Sequence, residues 1–205
     1  SLHDALPISG VLPDFDHTLL KRELDLFPDW YLARHHQLTL TDTLRAELDT
    51  VFERILAVNL AEPRVFVHRD YHSRNLMHMN SATNPGIIDF QDAVYGPISY
   101  DLASLLHDSY VELPEDFVAD KAEEFRQGAV PGEAREVFRR RFELMSVQRN
   151  LKALGTFGFQ AGRKGNQAYV ADMPRTLAHV RRNLARYSRF DALRRALAVH
   201  VEELV

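Results

Sequence analysis

The sequence predicts an α+β fold that is mostly α. Three observations carry this. Apolar residues recur at helical spacing through most of the chain. The only runs of strand type are short and lie between residues 65 and 88. Of the 205 residues, 45% are hydrophobic and 10% aromatic, enough for a real core and unlike a disordered or collagen-like chain.

The elements follow in order. Residues 1–9 (Ser1 to Ser9) are read as a foreign leader, because Leu2-His3-Asp4-Ala5-Leu6-Pro7-Ile8 resembles a translated sequencing adapter. From Asp14, residues Phe15, Leu19, Leu20 and Leu24 give a rough 3.6 period, and Pro28 opens a second short helix at Phe27-Pro28-Asp29-Trp30. Thr41 or Asp42 can cap a third, whose stripe Leu44, Leu48, Val51, Phe52, Ile55 and Leu56 is stopped by Pro63. Val65-Phe66-Val67, Leu76 to Met79 and Ile87-Ile88 are strand candidates, with a turn-rich connector from Asn80 to Gly86. Asp101 can cap a helix carrying Leu102, Leu105 and Leu106, and Pro114 opens the next. Pro131-Gly132 precedes a long helix through Val137, Phe138, Leu144 and Leu151, and a basic helical tail follows Met173.

Composition narrows the function classes. No cysteine is present, which excludes disulfides and thiolate metal sites and is compatible with a reducing cytoplasm. No apolar run is long enough to cross a bilayer, so no membrane association is expected. The net charge is −4, but residues 135–195 carry 15 basic residues against 4 acidic ones. Their helical spacing, as in Arg139-Arg140-Arg141 and Arg181-Arg182, suggests solvated helix faces or attraction of an anionic small substrate rather than a nucleic-acid surface.

The informative segment is His68-Arg69-Asp70-Tyr71-His72-Ser73-Arg74-Asn75, followed by Asp89 in Ile87-Ile88-Asp89-Phe90. A carboxylate on a loop after a strand can accept a hydroxyl proton, while a carboxamide five residues on and a second aspartate supply hard oxygen ligands for magnesium. That combination suits phosphoryl transfer, which asks mainly for positioning and charge neutralisation.

These two segments resemble the catalytic loop and metal-binding segment of aminoglycoside phosphotransferase-type small-molecule kinases, relatives of the protein kinases. The resemblance implies Asp70 as catalytic base, Asn75 and Asp89 as Mg²⁺ ligands, ATP as phosphate donor, and Asp101 in Tyr100-Asp101-Leu102-Ala103 as a brace for the loop. Phe90-Gln91 departs from the Asp-Phe-Gly of protein kinases, as is usual for small-molecule kinases. Val67 to Leu76, Ile88 to Pro97, Val147 to Gly155, Leu26 to Tyr31 and Tyr169 to Arg175 resemble more closely the bacterial anomeric kinases of N-acetylmuramate and N-acetylglucosamine. The implied reaction is transfer to the C1 hydroxyl of a cell-wall amino sugar during peptidoglycan recycling in the cytoplasm. Aminoglycoside, choline and homoserine kinases are the alternatives within the family.

Other residues keep two readings each. His68 suits loop bracing better than acid–base work. His72 can lie near the acceptor or pack within the loop. Arg74 can contact phosphate or acceptor, or form a surface ion pair. Asp92 can face the metal or a sugar hydroxyl. Arg149 and Lys152, three apart on one helix face, can meet an anionic acceptor. Trp30 can stack on a sugar ring or belong to the core. His68, Asp70 and His72 also form an H-x-D-x-H cluster that a zinc hydrolase would use, although it leaves Asn75 and Asp89 unexplained.

No glycine-rich cover and no strand lysine precede His68. Residues 10–205 are therefore expected to be the helical C-terminal lobe of a protein-kinase-like fold, with a short β element around the catalytic loop. The N-terminal lobe is expected in cis, and the isolated chain would then be inactive.

Overall fold

The computed structural model describes residues 11–80, 84–191 and 194. The leader expected at 1–9 and most of the tail beyond Asp191 lie outside them. The fold is α+β and mostly α, as expected. Helix α1 (His17–Leu26) begins later than its apolar pattern suggests, because the Asp16 side chain accepts the Leu19 N–H at 2.9 Å and so sets the start. The second helix, Phe27–His35, is present with Pro28 in its first turn, as expected, but it is π-wound and follows α1 without a break.

Helix α2 (Asp42–Asn59) is capped by Thr41 and buries the expected stripe. Strand β1 (Arg64–Val67) leads into the loop that begins at His68. The hairpin that follows is smaller than expected, β2 (Leu76–Met77) against β3 (Gly86–Ile87), so Met79 and Ile88 lie outside strands. Strand β4 (Val94–Pro97) was not anticipated, since Tyr95-Gly96-Pro97 reads as a turn. It pairs antiparallel with β1 from Arg64↔Pro97 to Val67↔Val94. Pro97 is tolerated because it ends the strand in a two-stranded sheet.

Helices α3 (Tyr100–Leu106), α4 (Glu115–Ala129), α5 (Arg135–Arg163) and α6 (Met173–Ala185) complete the described fold. The N-cap position of α3 is Ser99, and Asp101 lies in the first turn with its carboxylate directed elsewhere. Helix α5 is the spine, with α1, the π-wound segment, α2, α3, α4 and α6 packed around it. Residues 142–151 are buried without interruption, as a helix enclosed on all sides requires. Its approach to the π-wound segment depends on two glycines. A Cβ on Gly155 would fall 2.4 Å from the Leu26 carbonyl carbon, and one on Gly158 would fall 2.7 Å from the Trp30 oxygen.

The basic residues of α4–α6 are largely ion-paired. Arg139 pairs with Glu136, Arg141 with Glu133 and Arg182 with Glu115. Among the described residues no helix is long and apolar enough to cross a membrane.

The start of α3 is tied to the approach to β1 through Glu62, which is buried. Its Oε2 accepts the Ser99 N–H at 3.0 Å and its Oε1 the Ser99 hydroxyl at 2.8 Å. Burial raises its carboxyl from 4.5 to about 7, and the Ser99 bonds offset only part of this. The native state therefore binds the proton more tightly than the unfolded chain. This contribution to stability is complete below pH 4.5 and is lost as pH rises towards 7. The shift corresponds to about 3 kcal/mol at most. Urea unfolding should show wild-type stability falling between pH 4.5 and 7, and Glu62→Gln should flatten that fall. An unchanged slope in the variant would exclude Glu62 as its source.

Candidate active site

The site is assembled on the loop between β1 and β2. Its entrance is held by Asp101, whose Oδ2 accepts the His68 N–H at 2.7 Å and whose Oδ1 accepts the Arg69 N–H at 3.1 Å. Arg69 has φ +75°, an uncommon conformation for a non-glycine residue. The hydrogen bonds of His68 and Arg69 to Asp101 keep it there, and its guanidinium donates to Glu23 at 2.8 Å and to the Asp92 carbonyl at 3.3 Å. His68 is buried, with Nε2 3.0 Å from the Ile88 carbonyl, which joins the loop to the Asp89 segment.

A second aspartate holds the far end of the loop. Asp108 accepts the Ser73 N–H at 2.8 Å through Oδ2 and the Tyr110 N–H at 2.8 Å through Oδ1. Sequence reading missed this residue. It lies just past the end of α3, in a stretch with no helical or strand pattern to mark it.

Between these anchors lies Asp70. Its backbone oxygen accepts the Asn75 Nδ2 at 2.8 Å, and its Oδ1 lies 3.1 Å from the Lys152 Nζ. Burial alone would raise its carboxyl, but Lys152 and Arg149 outweigh burial and hold it down at about 2. Asp70 is thus ionised at neutral pH and able to accept a hydroxyl proton. The Asn75 Nδ2 also lies 3.5 Å from the Asp89 Oδ2, so carboxamide and carboxylate are neighbours. Because the amide nitrogen is committed to the loop, the oxygen is the atom Asn75 can offer a cation. Asp89 is exposed, has φ +69°, and receives the Gln91 side-chain N–H at 2.7 Å.

Asp70 opens into a pocket that is continuous with solvent. His72, Asp108, Tyr110, Lys152, Thr156 and Phe157 are among its lining residues. The His72 ring meets Tyr110 edge-on at 5.1 Å, and its pKa is lowered by burial and by Arg149. At the rim, the Arg74 guanidinium lies 3.6 Å from the Tyr110 ring centre and 3.3 Å from Asp172.

The other candidate substrate residues are placed as follows. Arg149 is buried in the wall of the pocket, with NH2 donating to the Ser104 hydroxyl at 2.8 Å and its guanidinium over the Tyr100 ring. Lys152 meets Asp70 instead of standing free for an acceptor. Trp30 lines a separate depression with Asp29, Ala33 and Arg34, and packs edge-on against Phe159 at 4.8 Å. Asp92 is exposed, and its backbone oxygen rather than its carboxylate serves the loop. The zinc reading also fails on geometry. Among the described residues no three His, Cys, Asp or Glu are placed to share a metal, and the His68 Nε2 is taken by Ile88.

Comparison with known proteins adds to this geometry. The model of the phosphotransferase enzyme family matches residues 1–137. The chain is 41% identical over 186 residues to an N-acetylmuramate/N-acetylglucosamine kinase of Pseudomonas putida, covering 88% of this chain and 54% of that protein. It is 43% identical over 184 residues to the kinase of the same name from Neisseria meningitidis, covering 87% and 54%. The chain thus spans about half the length of these relatives. Among solved structures, a Plasmodium vivax ethanolamine kinase superposes with a TM-score of 0.59 at 15% identity, covering 82% of this chain and 50% of that one. At that identity the likeness concerns the fold.

The Asp101 anchor can be tested directly. Asp101→Asn keeps the shape but sets an amide where two N–H groups need an anion, and should cost about 2–3 kcal/mol in urea unfolding. A loss below about 0.5 kcal/mol, the range of ordinary surface substitutions, would show that the loop holds itself.

Proposed function

This chain belongs to the phosphotransferase enzyme family, and on that premise we propose that it is the acceptor-binding, base-bearing lobe of an ATP-dependent amino-sugar kinase. The acceptor is the C1 hydroxyl of N-acetylmuramate or N-acetylglucosamine, and the setting is peptidoglycan recycling in the cytoplasm. The observation that carries the reading is Asp70, ionised, held from both ends of its loop and opening into a pocket with Lys152, Tyr110 and Phe157 in its wall. The names of relatives at 41% and 43% identity support the choice of sugar.

In this reading the acceptor hydroxyl donates its hydrogen bond to the Asp70 carboxylate. As the hydroxyl oxygen bonds to the γ-phosphorus, its proton passes to Asp70 and the bond to the β-phosphate oxygen breaks, releasing ADP. A carboxylate held at about 2 is a weak base for a neutral hydroxyl. It suffices because the hydroxyl becomes strongly acidic only once it begins to bond phosphorus in a loose transition state. The donor set fits magnesium, since Asn75 offers a carboxamide oxygen and Asp89 a carboxylate next to it, both hard oxygen ligands. Two protein ligands are enough where phosphate oxygens and water complete the coordination, and the ion would neutralise charge on the nucleotide.

The nucleotide-binding portion is assigned to the part of the relatives that this chain does not span, an N-terminal lobe in cis. Phe90, Ile88, Met77 and Met79 form an exposed apolar strip beside Asp89, a surface suited to such a lobe.

Joining the chain to the unmatched portion of the Pseudomonas putida relative gives the test. The joined enzyme with ATP should remove the reducing-end signal of N-acetylmuramate or N-acetylglucosamine, because phosphate at C1 blocks ring opening. Asp70→Asn should lower kcat about 10²- to 10⁴-fold in a variant that still unfolds cooperatively above the assay temperature. ATP consumption with retained reducing ends would move the acceptor to another compound. Near-normal turnover in the variant would remove Asp70 as base.

A further inference from the structure

The contact between Lys152 and Asp70 assigns the lysine a task that neither the sequence pattern nor the relatives suggest. Resting on the kinase reading above, we propose that Lys152 is the positioning residue of the base: its ammonium pins the Asp70 Oδ1 and leaves Oδ2 for the acceptor hydroxyl.

The geometry requires a rigid pin. Lys152 belongs to α5, the spine, and the next turn of that helix carries Gly155, whose backbone lies against Leu26 too closely for any side chain. The lysine's attachment point therefore cannot slide along the site. Its side chain is 13% exposed, so the bond to Asp70 is not in open competition with water. The Thr156 hydroxyl closes the turn by donating to the Lys152 carbonyl at 3.0 Å.

Asp70 is fixed from the other direction by Asn75 at its backbone oxygen. A carboxylate held by its backbone and by one of its two oxygens has little rotational freedom left. Such pre-set orientation is what a base for an incoming hydroxyl needs.

The charges around the pair are consistent with this role. Arg149 lies one turn earlier on α5 and faces Asp70 from the buried side, but its donor serves Ser104. His72, His107, Asp108 and Tyr110 complete the set of titratable groups about the pocket. Asp108 is occupied by two backbone N–H groups. Lys152 is left as the residue whose side chain meets the base.

The rival role for Lys152 is to read the carboxylate of an anionic acceptor. The two sugars separate the roles, because N-acetylmuramate carries a lactyl carboxylate and N-acetylglucosamine is neutral. Steady-state kinetics of the joined enzyme should show Lys152→Met losing about 100-fold in kcat on both sugars with little change in KM. Lys152→Arg, which keeps a cationic donor, should recover most of it. Both variants should still unfold in one cooperative transition above the assay temperature, excluding a folding defect as the cause. A loss confined to N-acetylmuramate and expressed in KM would make Lys152 an acceptor-reading residue and overturn the proposal. An undiminished kcat in Lys152→Met on both sugars would overturn it too. Wild-type turnover of neither sugar would instead overturn the acceptor assignment, and this inference with it.

Discussion

The Asp101 carboxylate, taking the backbone N–H groups of His68 and Arg69, is the constraint on which the rest of the site depends. A loop leaving a two-stranded sheet has no ladder to satisfy its amides, and an anion accepting two of them does so while fixing its direction. That grip holds Arg69 at positive φ and turns the chain so that Asp70 faces α5 rather than solvent. The helix carrying Asp101 is in turn fixed at its start by Glu62 and Ser99, and the β1–β4 pair fixes the strand that delivers His68. Asp108, seven residues beyond Asp101, closes the loop at Ser73.

Around this frame charges alternate through the interior. Glu23 accepts from Arg69 and from the Tyr100 hydroxyl at 2.8 Å each. Arg149 lies over Tyr100, and Lys152 meets Asp70. Each buried charge thus has an opposite charge or a polarised ring beside it, which offsets the cost of taking it out of water. Residues from α1, the loop, α3 and α5 take part, so the same contacts that orient the base tie four elements together. Truncating one member would strand its partner, and such a network resists piecemeal change.

Much of this was legible in the sequence. The α2 stripe from Leu44 to Leu56, capped at Thr41, reads as a helix because its apolar period is clean. His68 to Asn75 and Asp89 stand out because their residue types and intervals resemble a family motif. What spacing could not supply was depth. Arg149 and Lys152 look alike on a helical wheel, yet one is buried against Tyr100 and the other reaches Asp70. Asp108 carried no pattern of its own, and its role appears only where the loop folds back on α3. Strand β4 was hidden because its Gly-Pro reads as a turn in isolation, and only pairing with β1 makes it a strand. The π-wound continuation of α1 past Pro28 depends on the close approach of α5 at Gly155, a tertiary fact invisible to local propensity.

The central claim is that Asp70 is the base for the anomeric hydroxyl of an amino sugar. A crystal structure of the chain soaked with N-acetylmuramate tests it most directly. The account predicts the sugar in the pocket lined by Tyr110 and Phe157, with its C1 hydroxyl within hydrogen-bond distance of the Asp70 Oδ2 and with Lys152 still on Oδ1. A different hydroxyl on Asp70, or a sugar bound away from this loop, would contradict it.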